Sequence, residues 1–189
     1  DMEMAFATQE DVFAVLEDVL PPIFAKYGKY HTASSAPFTR IPFAQAMDTY
    51  GSDKPDLRID LTAVDATALL ADCGFGPFEG SVVKAVPVTN FTATRKQIDK
   101  LCADVEVQSG GKVYWFRLDE KGELVGGISK FLQDRKEAVI AALGLKPNTF
   151  VGLTAGKKLA AQKTAGVLIK MLPALAPEHM DKERYAFCW

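Results

Sequence analysis

Cysteine and histidine are scarce in this sequence, with three Cys and two His in 189 residues. Cys73, Cys102 and Cys188 are odd in number and far apart, which argues against a disulfide scaffold and for reduced thiols. A zinc site takes about four soft ligands at close spacing. Only His31 and His179 could supplement the cysteines, so no structural metal is expected. Charge of one sign is lacking too. The formal net charge is -2, too small for a whole-chain field that would draw DNA or a membrane surface. No apolar run approaches the ~20 residues of a membrane span, and the first residues do not resemble a signal peptide. A cytoplasmic protein is the expectation.

The usual catalytic motifs are also missing. There is no Gly-x-x-x-x-Gly-Lys-Ser/Thr loop and no Gly-x-Gly-x-x-Gly after a strand, so the common phosphate cradles are absent. There is no Gly-x-Ser-x-Gly elbow, and two lone histidines argue against a nucleophile triad. Gly126-Gly127 lacks a wider pattern and reads as a turn. Chemistry alone does not declare an enzyme.

What the chain does carry is ordinary globular composition, 48% apolar and 24% charged, long enough to bury a full core. Residues 2–7 alternate like a short strand. Thr8 then caps a helix with Asp11 at capping-box distance, and Val12, Leu16, Val19 and Leu20 recur at helical spacing. Pro21-Pro22 should end or kink that helix near Leu20. Pro42 suits the first turn of a shorter helix through Met47, stopped by Gly51. A further short helix is expected over Val64–Ala71, and Cys73–Pro77 is punctuation where a domain boundary is placed.

From residue 81 the pattern becomes regular. Val82–Val88 reads as a strand, and Thr94 caps a helix whose Ile98, Leu101, Cys102 and Val105 form one apolar face. Lys112–Leu118 alternates with both faces partly apolar, and Asp119–Glu123 is a hairpin turn leading into a strand-like stretch to Phe131. A helix over Asp134–Leu143, a strand over Thr149–Thr154 and a helix over Gly156–Leu172 close the series. In that last helix Ala160, Ala161, Ala165 and Gly166 allow close packing, while Leu159, Val167, Leu168, Met171 and Leu172 fill the interface. The expected class is α+β: a two-layer domain with an antiparallel or mixed sheet and helices on one face.

Runs of residues carry a resemblance. Asp1-Met2-Glu3-Met4-Ala5-Phe6 with Gln9-Glu10-Asp11-Val12 resembles the strand and helix just after motif 2 of class II aspartyl-tRNA synthetases. Arg40–Met47 and then Tyr50-Gly51-Ser52-Asp53-Lys54-Pro55-Asp56-Leu57-Arg58 is similar to a run of the bacterial enzymes. Val83–Val86, Arg95–Asp99 and Ser129–Leu132 recur in order in that family's inserted GAD domain, and Tyr185–Trp189 resembles the return to the catalytic core. The Gly-Ala-Asp triplet that names the insert is not kept, its place being taken by Leu153-Thr154-Ala155. The glycine-rich turn expected after the first insert strand reads Val88-Thr89-Asn90-Phe91.

The resemblance implies an internal piece of an aspartate–tRNA ligase, with residues 1–75 a partial catalytic-core segment, 76–180 a GAD-like insertion and 181–189 a strand returning to the core. The parent would use ATP and magnesium, aspartate and tRNA, and would be a homodimer. This chain would hold no cofactor or metal, touch no DNA, stand as a monomer and be inactive. By resemblance Asp1 matches the acid that pairs with the substrate ammonium, as a charge-assisted hydrogen bond requires, and Glu3 would share its strand face.

The tRNA-facing candidates are Lys54 and Arg58 in the 52–58 loop and Arg95, Lys96 and Lys100 on the first insert helix. Mixed-sign runs are also what plain solvation produces. Tyr114 and Trp115 would stack on a base only if exposed, and their alternation favours the core. Two rival readings remain: a binding module of a tRNA-dependent amidotransferase, which carries a related insert, and a free-standing interaction protein. Whether the parent charges the aspartate tRNA alone or also the asparagine tRNA is not written in these residues.

Overall fold

The capping box at Thr8 opens the chain's first regular element in the computed structural model, which describes residues 2–30 and 34–189. The Asp11 carboxylate accepts from the Thr8 N–H at 2.8 Å, while Thr8 Oγ1 accepts from the Asp11 N–H at 3.4 Å. Helix α1 then runs Gln9–Tyr27 with Pro21 and Pro22 inside it. The expectation that the prolines end the helix near Leu20 is corrected. Each proline removes one helical N–H bond, yet the turns on either side are held by packing against aromatic residues of the same unit. The expected strand over residues 2–7 is not formed either. Phe6 takes φ 55° in a turn, and among the described residues no strand pairs with this segment.

The chain divides into two compact units. The first holds, of the described residues, 2–30, 34–41, 56–58 and 181–189. Its centre is aromatic. Phe13 stacks on Trp189 with centroids 4.0 Å apart, Phe38 stacks on Phe187 at 5.0 Å, and Phe24 meets Tyr185 and Phe187 edge-on. Such offset and edge contacts add to simple burial. Glu17 on α1 ties these segments together, its Oε1 accepting from the Phe38 N–H at 3.0 Å and from Trp189 Nε1 at 2.8 Å.

The second unit holds Pro42–Pro55 and Ile59–Met180. Its elements in order are α2 (Phe43–Tyr50), β1 (Val64–Asp65), α3 (Thr67–Leu70), β2 (Val82–Val88), α4 (Arg95–Ser109), β3 (Val113–Leu118), β4 (Leu124–Val125), α5 (Lys136–Leu143), β5 (Thr149–Gly156) and α6 (Lys158–Met171). The five strands form one antiparallel sheet in the order β1-β2-β5-β3-β4. Two boundaries move from expectation. Val64–Asp65 is an edge strand against Ala85 and Lys84 in place of a helical turn, and the stretch beyond Val125 leaves the sheet. There Gly126 and Gly127 take φ 72° and 46°, and a 3-10 turn follows over Ser129–Phe131.

Helices cover both faces of this sheet, which corrects the one-face expectation. Strands β2, β3 and β5 bury residues on both sides, most of them apolar. Val86, Val88, Val113 and Phe150 face a core shared with Ile98, Leu101, Val105, Leu168 and Ile169 of α4 and α6. Val83, Ala85, Phe116, Leu118, Val151 and Leu153 face a second core shared with Leu70 of α3 and Val139 of α5. A strand buried on both sides must be covered on both sides, since each exposed apolar face costs about 25 cal/mol per Å². Leu159, expected in the interface, is instead 51% exposed, on the side of the helix away from the face that Ala161, Ala165 and Leu168 bury.

Candidate functional site

The cationic loop splits between the units, with residues 52–55 in the second and 56–58 in the first. In the second unit Lys54 is exposed and its N–H closes a tight turn on Ser52 Oγ at 3.0 Å. In the first unit Arg58 holds Asp56 with both edges of its fork, Nε to Oδ1 at 2.8 Å and Nη2 to Oδ2 at 2.7 Å. The hydrogen bond to Asp56 raises the Arg58 pKa above its ordinary value. A guanidinium used in this bidentate way presents little of its fork to a phosphate. The same holds for Arg40, whose Nη1 and Nη2 donate to Glu10 at 2.7 and 2.6 Å on an exposed surface.

Arg95, Lys96 and Lys100 are exposed on α4, as their helical spacing predicts. Two of the three are answered within the helix: Arg95 by Asp99 and Lys100 by Asp104, both four residues on. Pairs of this kind are worth only ~0.3–0.5 kcal/mol, but they cancel the local field. Glu3 is exposed and lies in the segment that forms no strand. Asp1 and His31 lie outside the described residues.

Sequence reasoning passed over the cations of α6. Lys157, Lys158, Lys163 and Lys170 are all exposed, and among the described residues none belongs to an ion pair. The signal was present as an absence. No Asp or Glu occurs from 138 to 177, but the apolar interface of the helix drew the reading instead.

Two departures from the family's pattern have structural accounts. At Leu153-Thr154-Ala155 the chain is the middle of β5, with Leu153 fully buried and Thr154 Oγ1 donating to the Ala161 carbonyl at 2.8 Å. At Val88–Phe91 the turn is made without glycine. Asn90 takes φ 54°, a conformation asparagine tolerates better than most residues. Phe91 is thereby buried against Phe150 with ring centroids 4.6 Å apart. Tyr114 and Trp115 are half-buried and pack against the two cores, Tyr114 edge-on to Phe75 and Phe78.

His179 is the one histidine among the described residues, and both its ring nitrogens meet acceptors. Nδ1 lies 2.7 Å from Asp60 Oδ1 and Nε2 lies 3.1 Å from the Thr89 carbonyl. A neutral imidazole can donate only once, so this geometry selects the imidazolium. Partial burial opposes the charge. The Thr89 carbonyl, the Asp60 carboxylate and the nearby Glu178 outweigh it and raise the pKa above 6.5. The raised folded-state value means the contribution to stability is fully present below about 6.5 and is lost as pH rises through the folded pKa. Stability of wild type in urea unfolding should therefore fall as pH rises above about 6.5, and His179→Gln should flatten that slope. An unchanged slope in the variant would place the titration elsewhere.

Among the described residues no group of three or more His, Cys, Asp or Glu side chains could hold a metal ion. The cysteines form no disulfide; Cys73 is buried, and burial pushes the Cys102 thiol up to about 11. No described helix is long and apolar enough to cross a membrane.

Residues 1–189 match the model of the tRNA synthetases of class II (D, K and N), and the chain belongs to that family. Within it the chain is 36% identical to the aspartate–tRNA ligase of Streptomyces coelicolor over 191 residues, covering 100% of this chain and 32% of that protein. It is 37% identical to the aspartate–tRNA(Asp/Asn) ligase of Zymomonas mobilis, covering 100% of this chain and 33% of that protein. A third relative, the aspartate–tRNA(Asp/Asn) ligase of Paramagnetospirillum magneticum, is 36% identical over 22% of its length. The chain thus spans about a third or less of the curated relatives it matches.

Proposed function

We propose that the whole protein is an aspartate–tRNA ligase, forming aspartyl-adenylate from aspartate and ATP and passing the aspartyl group to tRNA. The observation that carries this is the alignment of the entire chain, end to end, with relatives of that name. In this reading residues 76–180 are a GAD-type insertion, and 1–75 and 181–189 are segments of the catalytic core. Asp1 and Glu3 belong to the aspartate pocket, while Lys54, Arg58, Arg95, Lys96 and Lys100 are candidates to face tRNA. The whole protein is a cytoplasmic homodimer, and the 189 residues alone are a monomer.

ATP and magnesium belong to the ligase reaction, but the described residues offer no cluster fit for the metal. No step through either is assigned to this chain. Its share is orientation: a packed sheet and an aromatic unit hold the flanking segments in place, which is how such enzymes gain most of their rate. The amidotransferase-module reading is not favoured, since the matching relatives are ligases along the full chain, core-like runs included.

Aspartate-dependent ATP–pyrophosphate exchange decides the matter. The 189-residue chain should be silent, and the reading frame extended in both directions should exchange. Turnover by the clean short chain would defeat the inactive-segment reading, and silence of a folded long form would defeat the ligase reading.

A further inference from the structure

Between residues 138 and 177 the chain carries five lysines and no aspartate or glutamate, in a protein whose formal net charge is -2. Four of the five, Lys157, Lys158, Lys163 and Lys170, lie on α6 or at its cap. Lys163 and Lys170 stand seven residues apart, hence on one side of the helix and about 10 Å apart along its axis. That side is the outward one. Ala161, Ala165, Leu168 and Ile169 bury the opposite side, and Gly166 backs so closely onto Gly51 that a Cβ there would lie 2.4 Å from the Gly51 carbonyl oxygen. The lysines are therefore mounted on a fixed element. Helix α4 differs in this respect: there Arg95 and Lys100 have carboxylate partners on their own helix, whereas Lys163 and Lys170 form no ion pair among the described residues.

We propose that the outward face of α6, centred on Lys163 and Lys170, docks RNA through its phosphate backbone. This rests on the reading of the whole protein as a tRNA ligase and adds α6 to its RNA-facing surface. A mixed-sign surface is hydrated and exerts little net attraction, but an unanswered row of ammonium groups repels itself and attracts a polyanion. Lysine binds phosphate as a point charge without fixed geometry. The face is a convex helix side with no adjoining acid on α6 to read a base edge, so it fixes the RNA's position and carries no sequence information. Binding to such a face is driven by counterion release and weakens steeply with salt.

The test uses the full 189-residue chain and an in vitro transcript of a tRNA, titrated at several salt concentrations. Wild type should bind in the range ~10⁻⁴–10⁻⁶ M typical of backbone recognition. The pair Lys163→Glu and Lys170→Glu should weaken binding about tenfold or more at low salt. It should also reduce the salt slope by about 2, one for each phosphate no longer neutralised. The control pair Lys121→Glu and Lys130→Glu, both exposed and remote in sequence from α6, should leave the slope within about half a unit of wild type. Circular dichroism checks both folds. If charge reversal disturbs α6, the pair Lys163→Gln and Lys170→Gln should still lower the slope. Equal losses from the control pair and the α6 pair would overturn the proposal, as would wild-type chain that does not bind the transcript. Polyglutamate competing against the transcript as a partner of equal affinity would overturn it too, pointing to an acidic protein. None of these outcomes touches pyrophosphate exchange by the extended protein, so a failure here and a failure of the ligase reading are separable.

Discussion

Gly166→Ala destabilises the protein, by an amount at the upper end of the roughly 1–3 kcal/mol that overpacking costs, and Gly166→Val by more. Helix propensity alone predicts the reverse, since Gly to Ala inside a helix ordinarily gains about 1 kcal/mol. Packing decides the sign. A Cβ at Gly166 would sit 2.4 Å from the Gly51 carbonyl oxygen and 2.7 Å from its carbon. Both are backbone atoms and cannot rotate away. The obstruction is mutual, because a Cβ at Gly51 would meet the Gln162 carbonyl oxygen at 2.1 Å, and Gly51 also holds φ 63°. Two bare backbones thus let the end of α2 press into α6, so either side chain forces the helices apart. Thermal unfolding of Gly166→Ala against wild type reads the outcome. A rise in midpoint would mean that the α2–α6 packing is loose and that propensity rules at this position.

Much of this packing was legible in the sequence, and the exceptions have physical causes. The capping boxes at Thr8 and Thr94 were readable because they are local: both partners lie within one turn. The apolar face of α4 was readable for the same reason, its Ile98, Leu101 and Val105 all being buried. Pro21-Pro22 misled because a local rule was overruled by tertiary packing, with Phe24 beyond the prolines held between Tyr185 and Phe187. Those partners are some 160 residues away in sequence, beyond the reach of any local pattern. Val64–Asp65 misled because a two-residue strand exists only through its partner β2. The two-sided burial of the sheet was half visible in the dense alternation of Val113–Leu118, but which helices covered which side was not. For the candidate site, the exposure of Lys54, Arg95, Lys96 and Lys100 was legible from mixed polarity. The α4 pairs Arg95–Asp99 and Lys100–Asp104 lie at plain i,i+4 spacing, and Asp53 and Asp56 stand beside Lys54 and Arg58 as local partners. The bidentate hold of Arg58 on Asp56 needs side-chain geometry.

Asp48→Ala should cost more than Lys84→Met, although both break the same ion pair. Lys84 is 2% exposed in the middle of β2, and its ammonium reaches Asp48 Oδ1 at 2.9 Å and Asp65 Oδ2 at 3.5 Å. Both carboxylates are about half exposed. Removing Asp48 therefore leaves the cation in the interior with only the longer pairing. It also strips a 2.8 Å acceptor from Gln162 Nε2, on a side chain 4% exposed. Breaking a buried pair by deleting one partner costs about 3–5 kcal/mol, and the half-exposed carboxylate places this case near the lower figure. Removing the lysine instead leaves two carboxylates that water can reach, with methionine filling the stem's volume, so a change within about 1.5 kcal/mol is expected. The carboxylates also set an acid limit. Hydrogen bonds from Lys84 and then Gln162 hold Asp48 below its ordinary 3.8. At Asp65 partial burial opposes ionisation, but Thr67 and Lys84 outweigh it, so its pKa is lowered too. A depressed folded-state pKa contributes stability that is present above about 3.8 and lost as pH falls through the folded value. Urea unfolding at neutral pH should rank wild type and Lys84→Met close together with Asp48→Ala well below. In an acid series Lys84→Met should lose less than wild type below about pH 4, because its aspartates no longer have the Lys84 ammonium to keep their protons off. Equal losses for Asp48→Ala and Lys84→Met at neutral pH would mean that the ammonium finds water once its partner is gone, and that the β2 cation is not sealed in the way its burial indicates.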